Sequence, residues 1–112
     1  MTLLHLATPD EWDAHRAAGV IAPSGAEFVH LSTPEQVRRP ADRLHHGRTD
    51  LLLLVLDPAR IGVPVRWEPG VPSDPAAMRF PHAYGAIPVT AVLRAQPYPS
   101  RPDGGFDDPV LA

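Results

Sequence analysis

Apolar and polar positions alternate along much of this chain, and the changes of period mark its elements. Residues 3–6 (Leu-Leu-His-Leu) form an apolar segment interrupted by His5 and predict a first strand. Thr8-Pro9-Asp10-Glu11 then opens a helix. Thr8 can cap it, Pro9 suits the first helical position, and Glu11 completes a capping box. Gly19 stops this helix, residues 20–25 connect, and residues 27–31 predict a second strand. Thr33-Pro34-Glu35-Gln36 repeats the same opening. Val37, Ala41 and Leu44 fall on one helical face, Pro40 is expected to kink or split the helix, and Gly47 ends it.

The continuous apolar run at residues 51–56 predicts a buried central strand. Asp57-Pro58-Ala59-Arg60 reads as a turn or one helical turn, residues 65–68 as a short alternating strand, and residues 69–79, rich in Pro, as a flexible loop. Residues 79–85 resemble either a loop whose aromatics frame a flat ligand or a structural turn plugging the sheet edge, residues 84–88 read as a turn or short strand, and residues 91–96 as a final strand. Beyond Pro97 the chain is dominated by Pro, Gly and Asp. The expectation is one domain over residues 1–97 with a flexible tail over 98–112. The element order predicts an α+β fold, with two early helices packed on a split, antiparallel-rich β-sheet.

Composition narrows the function. A length of 112 residues suits one modest core. The net charge of −3 supplies no basic stripe, so duplex DNA is not an expected partner. The absence of cysteine excludes disulfides, thiolate catalysis and Cys-based zinc sites, and the simplest expectation is a cytoplasmic protein. No apolar run is long enough to suggest a membrane span, and no secretory signal is expected at the N-terminus.

Three histidines sit in apolar, strand-like contexts: His5, His30 within Phe28-Val29-His30-Leu31-Ser32, and His82 within Phe80-Pro81-His82-Ala83-Tyr84. Imidazole is costly to bury unpaired and titrates near neutral pH. Side chains alternate along a strand, so Phe28, His30 and Ser32 share a face, as do Arg66 and Glu68. A core histidine bonded to a nearby serine or backbone group would give the same pattern as a ligand site. An Arg66–Glu68 surface ion pair is the plain alternative to a catalytic carboxylate. Tyr84 offers a ring face and a hydroxyl, and Arg43 can reach a phosphate. His45 and His46, near a helix end, are expected to be solvated. The chain has no phosphate loop, no Gly-x-Gly-x-x-Gly and no His-Glu-x-x-His.

In order and spacing, His5, Phe28-Val29-His30-Leu31-Ser32-Thr33, Gln36, Asp57-Pro58, Arg66-Trp67-Glu68 and Phe80-Pro81-His82-Ala83-Tyr84-Gly85 resemble the bacterial DUF952 family over residues 3–96. That family is grouped with ADP-ribosyltransferase-like folds, which include RNA 2'-phosphotransferases and poly(ADP-ribose) polymerases. The resemblance implies an NAD or ADP-ribose-type nucleotide ligand, with transfer of an ADP-ribosyl or 2'-phosphoryl group to a protein, RNA or small-molecule acceptor. It implies His5, His30 and Glu68 as catalytic residues. Ser32, Arg43, His82 and Tyr84 would bind the cofactor, with Tyr84 stacking on the nicotinamide ring. No metal is expected. The chain departs from those folds in lacking a clear His-Tyr-Glu or Arg-Ser-Glu triad in their order. Two further readings stand beside this one: a binding or accessory protein without turnover, and a metal-dependent enzyme using His5, His30, His82 and Glu68.

Overall fold

The computed structural model describes residues 1–70 and 78–112. The segment 71–77, within the loop expected at 69–79, lies outside the described residues. Two helices and a set of short antiparallel strands form an α+β fold.

The apolar run becomes β4 (Leu52–Leu56), the central strand of a sheet in which β1 (Leu3–Ala7) and β8 (Val92–Pro97) flank it. Its alternate side chains feed two cores. Leu54 and Leu56 join Leu3 and Ala7 on one side; Leu53 and Val55 join Leu4 on the other. A second three-stranded sheet has β6 (Phe80–Ala83) between β3 (Val29–His30) and β5 (Val65–Glu68). A small pair, β2 (Val20–Ile21) with β7 (Ile87–Pro88), completes the strands among the described residues. The two larger sheets share the first core, and among the described residues one isolated bridge pairs them. There Leu4 N–H donates to the Ser32 carbonyl and Ser32 N–H to the Leu4 carbonyl, both at 2.8 Å. The expected split sheet is built this way, with a seam of one residue pair.

Helix α1 (Pro9–Ala18) follows its local code. Thr8 Oγ1 accepts from Glu11 N–H, the Glu11 carboxylate accepts from Thr8 N–H, and Gly19 ends the helix in the left-handed region. Its Trp12 packs on the first core. Helix α2 (Arg38–His45) differs from expectation in two ways. A turn at residues 34–37 precedes it, in which the Gln36 side chain accepts from Thr33 N–H, so only half of a capping box forms. Pro40 does not break the helix. It is the third helical residue, where an N–H has no intrahelical partner to lose. Val37, Pro40 and Ala41 are buried, whereas Leu44 is exposed.

Two further expectations are corrected. Residues 80–83 are not a loop but a fully buried central strand, because β3 and β5 pair with it on either side. Pro81 lacks a donor, and its carbonyl accepts from Leu31 N–H. Nor are residues 98–112 a loose tail. Tyr98 and Phe106 are buried in the second core beside Leu53 and Val55, and Phe106 N–H donates to Asp42 of α2. Arg101 bonds Asp103 and Asp107, and Gly104, in the left-handed region, packs so close to the His46 ring that a Cβ would collide with it. No helix among the described residues is long and apolar enough to cross a membrane.

Phe106→Ala is expected to lower the unfolding free energy by about 3–5 kcal/mol, the usual cost of emptying a buried phenylalanine site. Urea unfolding followed by circular dichroism measures it, and unchanged stability would mean that residues 98–112 do not belong to the folded core.

Candidate functional site

The sheet β3-β6-β5 carries a polar face. Register places His30 opposite His82 and His82 opposite Arg66, with Val29, Ala83 and Val65 on the adjacent rung. Val29 and Ala83 enter the first core, with Val65 packed against it. Strand alternation therefore turns His30, His82, Arg66 and Glu68 to the other side.

Glu68 organises this face. Its Oε1 accepts from Tyr84 Oη at 2.5 Å and lies 3.1 Å from His82 Nδ1. These hydrogen bonds hold the Glu68 carboxyl below the usual carboxylate range, the tyrosine's first and the histidine's second. The same contact raises the Tyr84 phenol. An ionised carboxylate can only accept, so Nδ1 of His82 carries a proton and donates to it. His82 is 2% exposed, and Nε2 has no hydrogen-bond partner among the described residues. The Phe28 ring stacks on His82 with centroids 4.0 Å apart and planes 12° from parallel. Phe28 also meets the edge of His30 at 4.7 Å and Tyr84 at 5.2 Å. The Arg66 guanidinium lies over the Tyr84 ring at 4.7 Å, a cation–π contact rather than a simple surface ion pair.

The remaining predicted residues gather less tightly. His30 is exposed, and partial desolvation, then His82 and Arg43, lower its pKa. Arg43 on α2 thus places a positive charge near His30. Ser32 is buried and forms the seam with Leu4 through its backbone. His5 does not share the face of Glu68. It shares a strand side with Leu3 and Ala7, opposite Leu54, and its ring lies 6.0 Å from His15 of α1. Its Nδ1 is 2.7 Å from the His30 carbonyl, which can only accept, so Nδ1 donates across the split. Burial lowers the His5 pKa to about 4 against the opposing effect of that hydrogen bond, so the ring is neutral at pH 7. His45 is half-buried rather than solvated, and desolvation lowers its pKa as well.

Alternation places Phe28 on the face of His30 without giving it a part in the site, and it leaves an Arg66–Glu68 surface ion pair as the alternative to a catalytic carboxylate. The odd-even pattern around His30 and Glu68 was the available signal for both. The metal reading finds no geometry. Among the described residues no group of three or more His, Asp or Glu side chains is arranged to hold an ion. His82 is tied to Glu68 under Phe28, and His5 turns toward α1.

The unfolded chain protonates His5 below about pH 6.5, the folded one only below about 4. Between these values the unfolded state holds more protons. Stability due to His5 is therefore complete above pH 6.5 and declines as pH falls to 4, by up to about 3 kcal/mol. His5→Gln, which keeps a donor for the His30 carbonyl, should flatten this decline in urea unfolding at pH 7, 5.5 and 4. An unchanged slope would mean that His5 is not desolvated.

The sequence pattern of a protein family of unknown function, DUF952, matches residues 6–95. No curated protein matches the chain. The crystal structure of protein CC0527 from Caulobacter crescentus is similar, with a TM-score of 0.80 and 27% identity over 96% of this chain and 94% of that one. The solution structure of the same protein gives a TM-score of 0.75 and 28% identity over 94% and 90% of the two chains. With its pattern matched over most of its length, the chain belongs to the DUF952 family.

Proposed function

We propose that this protein takes an NAD- or ADP-ribose-type ligand on the β3-β6-β5 face, in an ADP-ribosyltransferase-like fold, and transfers an ADP-ribosyl or 2'-phosphoryl group. The observation that carries the reading is the Glu68 carboxylate, kept ionised by Tyr84 and His82 on the same face as exposed His30. An ionised carboxylate is poorly suited to donate a proton and well suited to stabilise developing positive charge. Loss of nicotinamide from NAD creates such a charge: the glycosidic C–N bond breaks, its electron pair leaves with the neutral base, and the oxocarbenium-like ribose carbon is captured by a lone pair of the acceptor, whose proton passes to solvent. Both donors reach Oε1, so neither of them occupies Oε2. His30 and Arg43 supply polar and positive groups for ribose hydroxyls and phosphate oxygens. His5 contributes through the His30 backbone, as a positioning residue.

A binding protein without turnover is the second reading, favoured by the burial of His82 under Phe28. Calorimetric titration with NAD and ADP-ribose tests ligand binding. Wild type should bind with saturation, and His30→Ala should weaken binding at least tenfold; a folded wild type that binds neither ligand would overturn the proposal. Nicotinamide release from NAD separates the two readings. Glu68→Gln should slow release about 100-fold or more if the carboxylate stabilises the transition state. Binding without release by wild type would establish the second reading.

A further inference from the structure

Strand β5 has one paired side and one open side among the described residues. It ends the sheet β3-β6-β5, and β6 is its strand partner there. Tyr84 N–H donates to the Pro64 carbonyl at 2.8 Å. Backbone groups alternate in direction along an antiparallel strand. Arg66 and Glu68 therefore also turn theirs toward β6, while Val65 and Trp67 turn theirs to the open edge. Such an edge is a template for another strand. Pro64 and Pro69 bound it, which leaves a window of four residues, 65–68. Within that window Trp67 is 40% exposed, a large apolar ring at an open edge. Arg66 and Glu68 flank it with opposite charges. The outer strand of the other sheet, β8, is different. Arg94 is its one charged residue, and the side chain of Gln96 is taken up by the Val110 carbonyl and Ala112 N–H of the C-terminal segment.

We infer that β5 is a self-complementary edge on which a second copy of this chain docks, antiparallel, about a two-fold axis at Trp67. In that register Trp67 faces the partner's Trp67, and the two exchange both of their outward backbone hydrogen bonds. Arg66 faces the partner's Glu68, and Glu68 faces the partner's Arg66. Opposite charges directly across a strand pair attract and like charges repel. An axis at Arg66 or at Glu68 would set like charges face to face, so charge selects the register. Val65 N–H meets the partner's Pro69 carbonyl, and Pro69, which has no N–H, ends the ladder. A copy of the same chain meets this charge order by symmetry alone. The two sheets join edge to edge, so both polar faces lie open on one side of a continuous sheet, with two ligand sites next to each other. The inference does not depend on which ligand that face takes.

Sedimentation of the ligand-free wild type from about 10 µM to about 1 mM reads the association. The contact is short, so a reversible dimer is expected, with the mass rising from one chain toward two over this range. Trp67→Lys, with its fold checked by circular dichroism, should weaken association at least tenfold. Arg66→Glu, which sets a carboxylate opposite the partner's Glu68, should weaken it more than Arg66→Gln does. A wild type that stays monomeric throughout, a dimer that Trp67→Lys leaves equally tight, or equal effects of the two Arg66 variants overturns the inference. A second measurement needs no variant. In a mixture of isotope-labelled and unlabelled wild type, isotope-filtered NMR should show contacts between the α-protons of Arg66 and Glu68 on different molecules; a dimer without these contacts overturns the inference equally. Because the mass is read without ligand, the dimer and the nucleotide reading can each fail alone.

Discussion

Two backbone hydrogen bonds between Leu4 and Ser32 link the two larger sheets above the core they share, and the site is built on that seam. On one side of it, β1-β4-β8 buries the most apolar stretch of the chain between two cores. On the other, β3-β6-β5 buries one face and carries a polar set on the other. Because the seam is only one residue pair wide, the strands separate on either side of it. His5 sits at that separation and spans it by donating to the His30 carbonyl. The seam thus fixes the position of the exposed His30 side chain relative to a strand that is itself rigidly packed.

Within the polar face, Glu68 acts as an electrostatic centre. One carboxylate oxygen receives both Tyr84 and His82, so a single ionised group aligns a phenol and orients an imidazole through its Nδ1. Arg66 over the Tyr84 ring adds positive charge to the same surroundings. Hydrogen bonds to a charged acceptor are stronger than neutral ones, which makes this arrangement stiff as well as polar. The site is therefore preorganised around negative charge on Glu68, while His30 remains at the surface to meet a ligand.

Local codes were easily legible in the sequence. The Thr8–Glu11 capping box needs only neighbours three positions apart, and residues 51–56 are apolar throughout. The shared face of Phe28 and His30 also follows from alternation alone. What failed was decided by distant partners. Pro81 and Gly85 made residues 80–84 resemble a loop, yet pairing on both sides turns 80–83 into a central strand. The Pro- and Gly-rich end of the chain hid two anchors, Tyr98 and Phe106, which have no periodic neighbours to announce their burial. His5 and His30 each showed their orientation within a strand, but nothing in either segment reveals how one strand is turned relative to the other across a seam.

The polar face depends most on the proton that His82 Nδ1 shares with Glu68. Nitrogen-15 NMR of histidine-labelled protein at pH 7 reads it directly. A ring protonated at Nδ1, with a through-bond signature of the hydrogen bond to Glu68, is expected. A ring protonated at Nε2 instead, or one averaging between tautomers, would contradict it, since neither is compatible with an ionised Glu68 holding the imidazole in place.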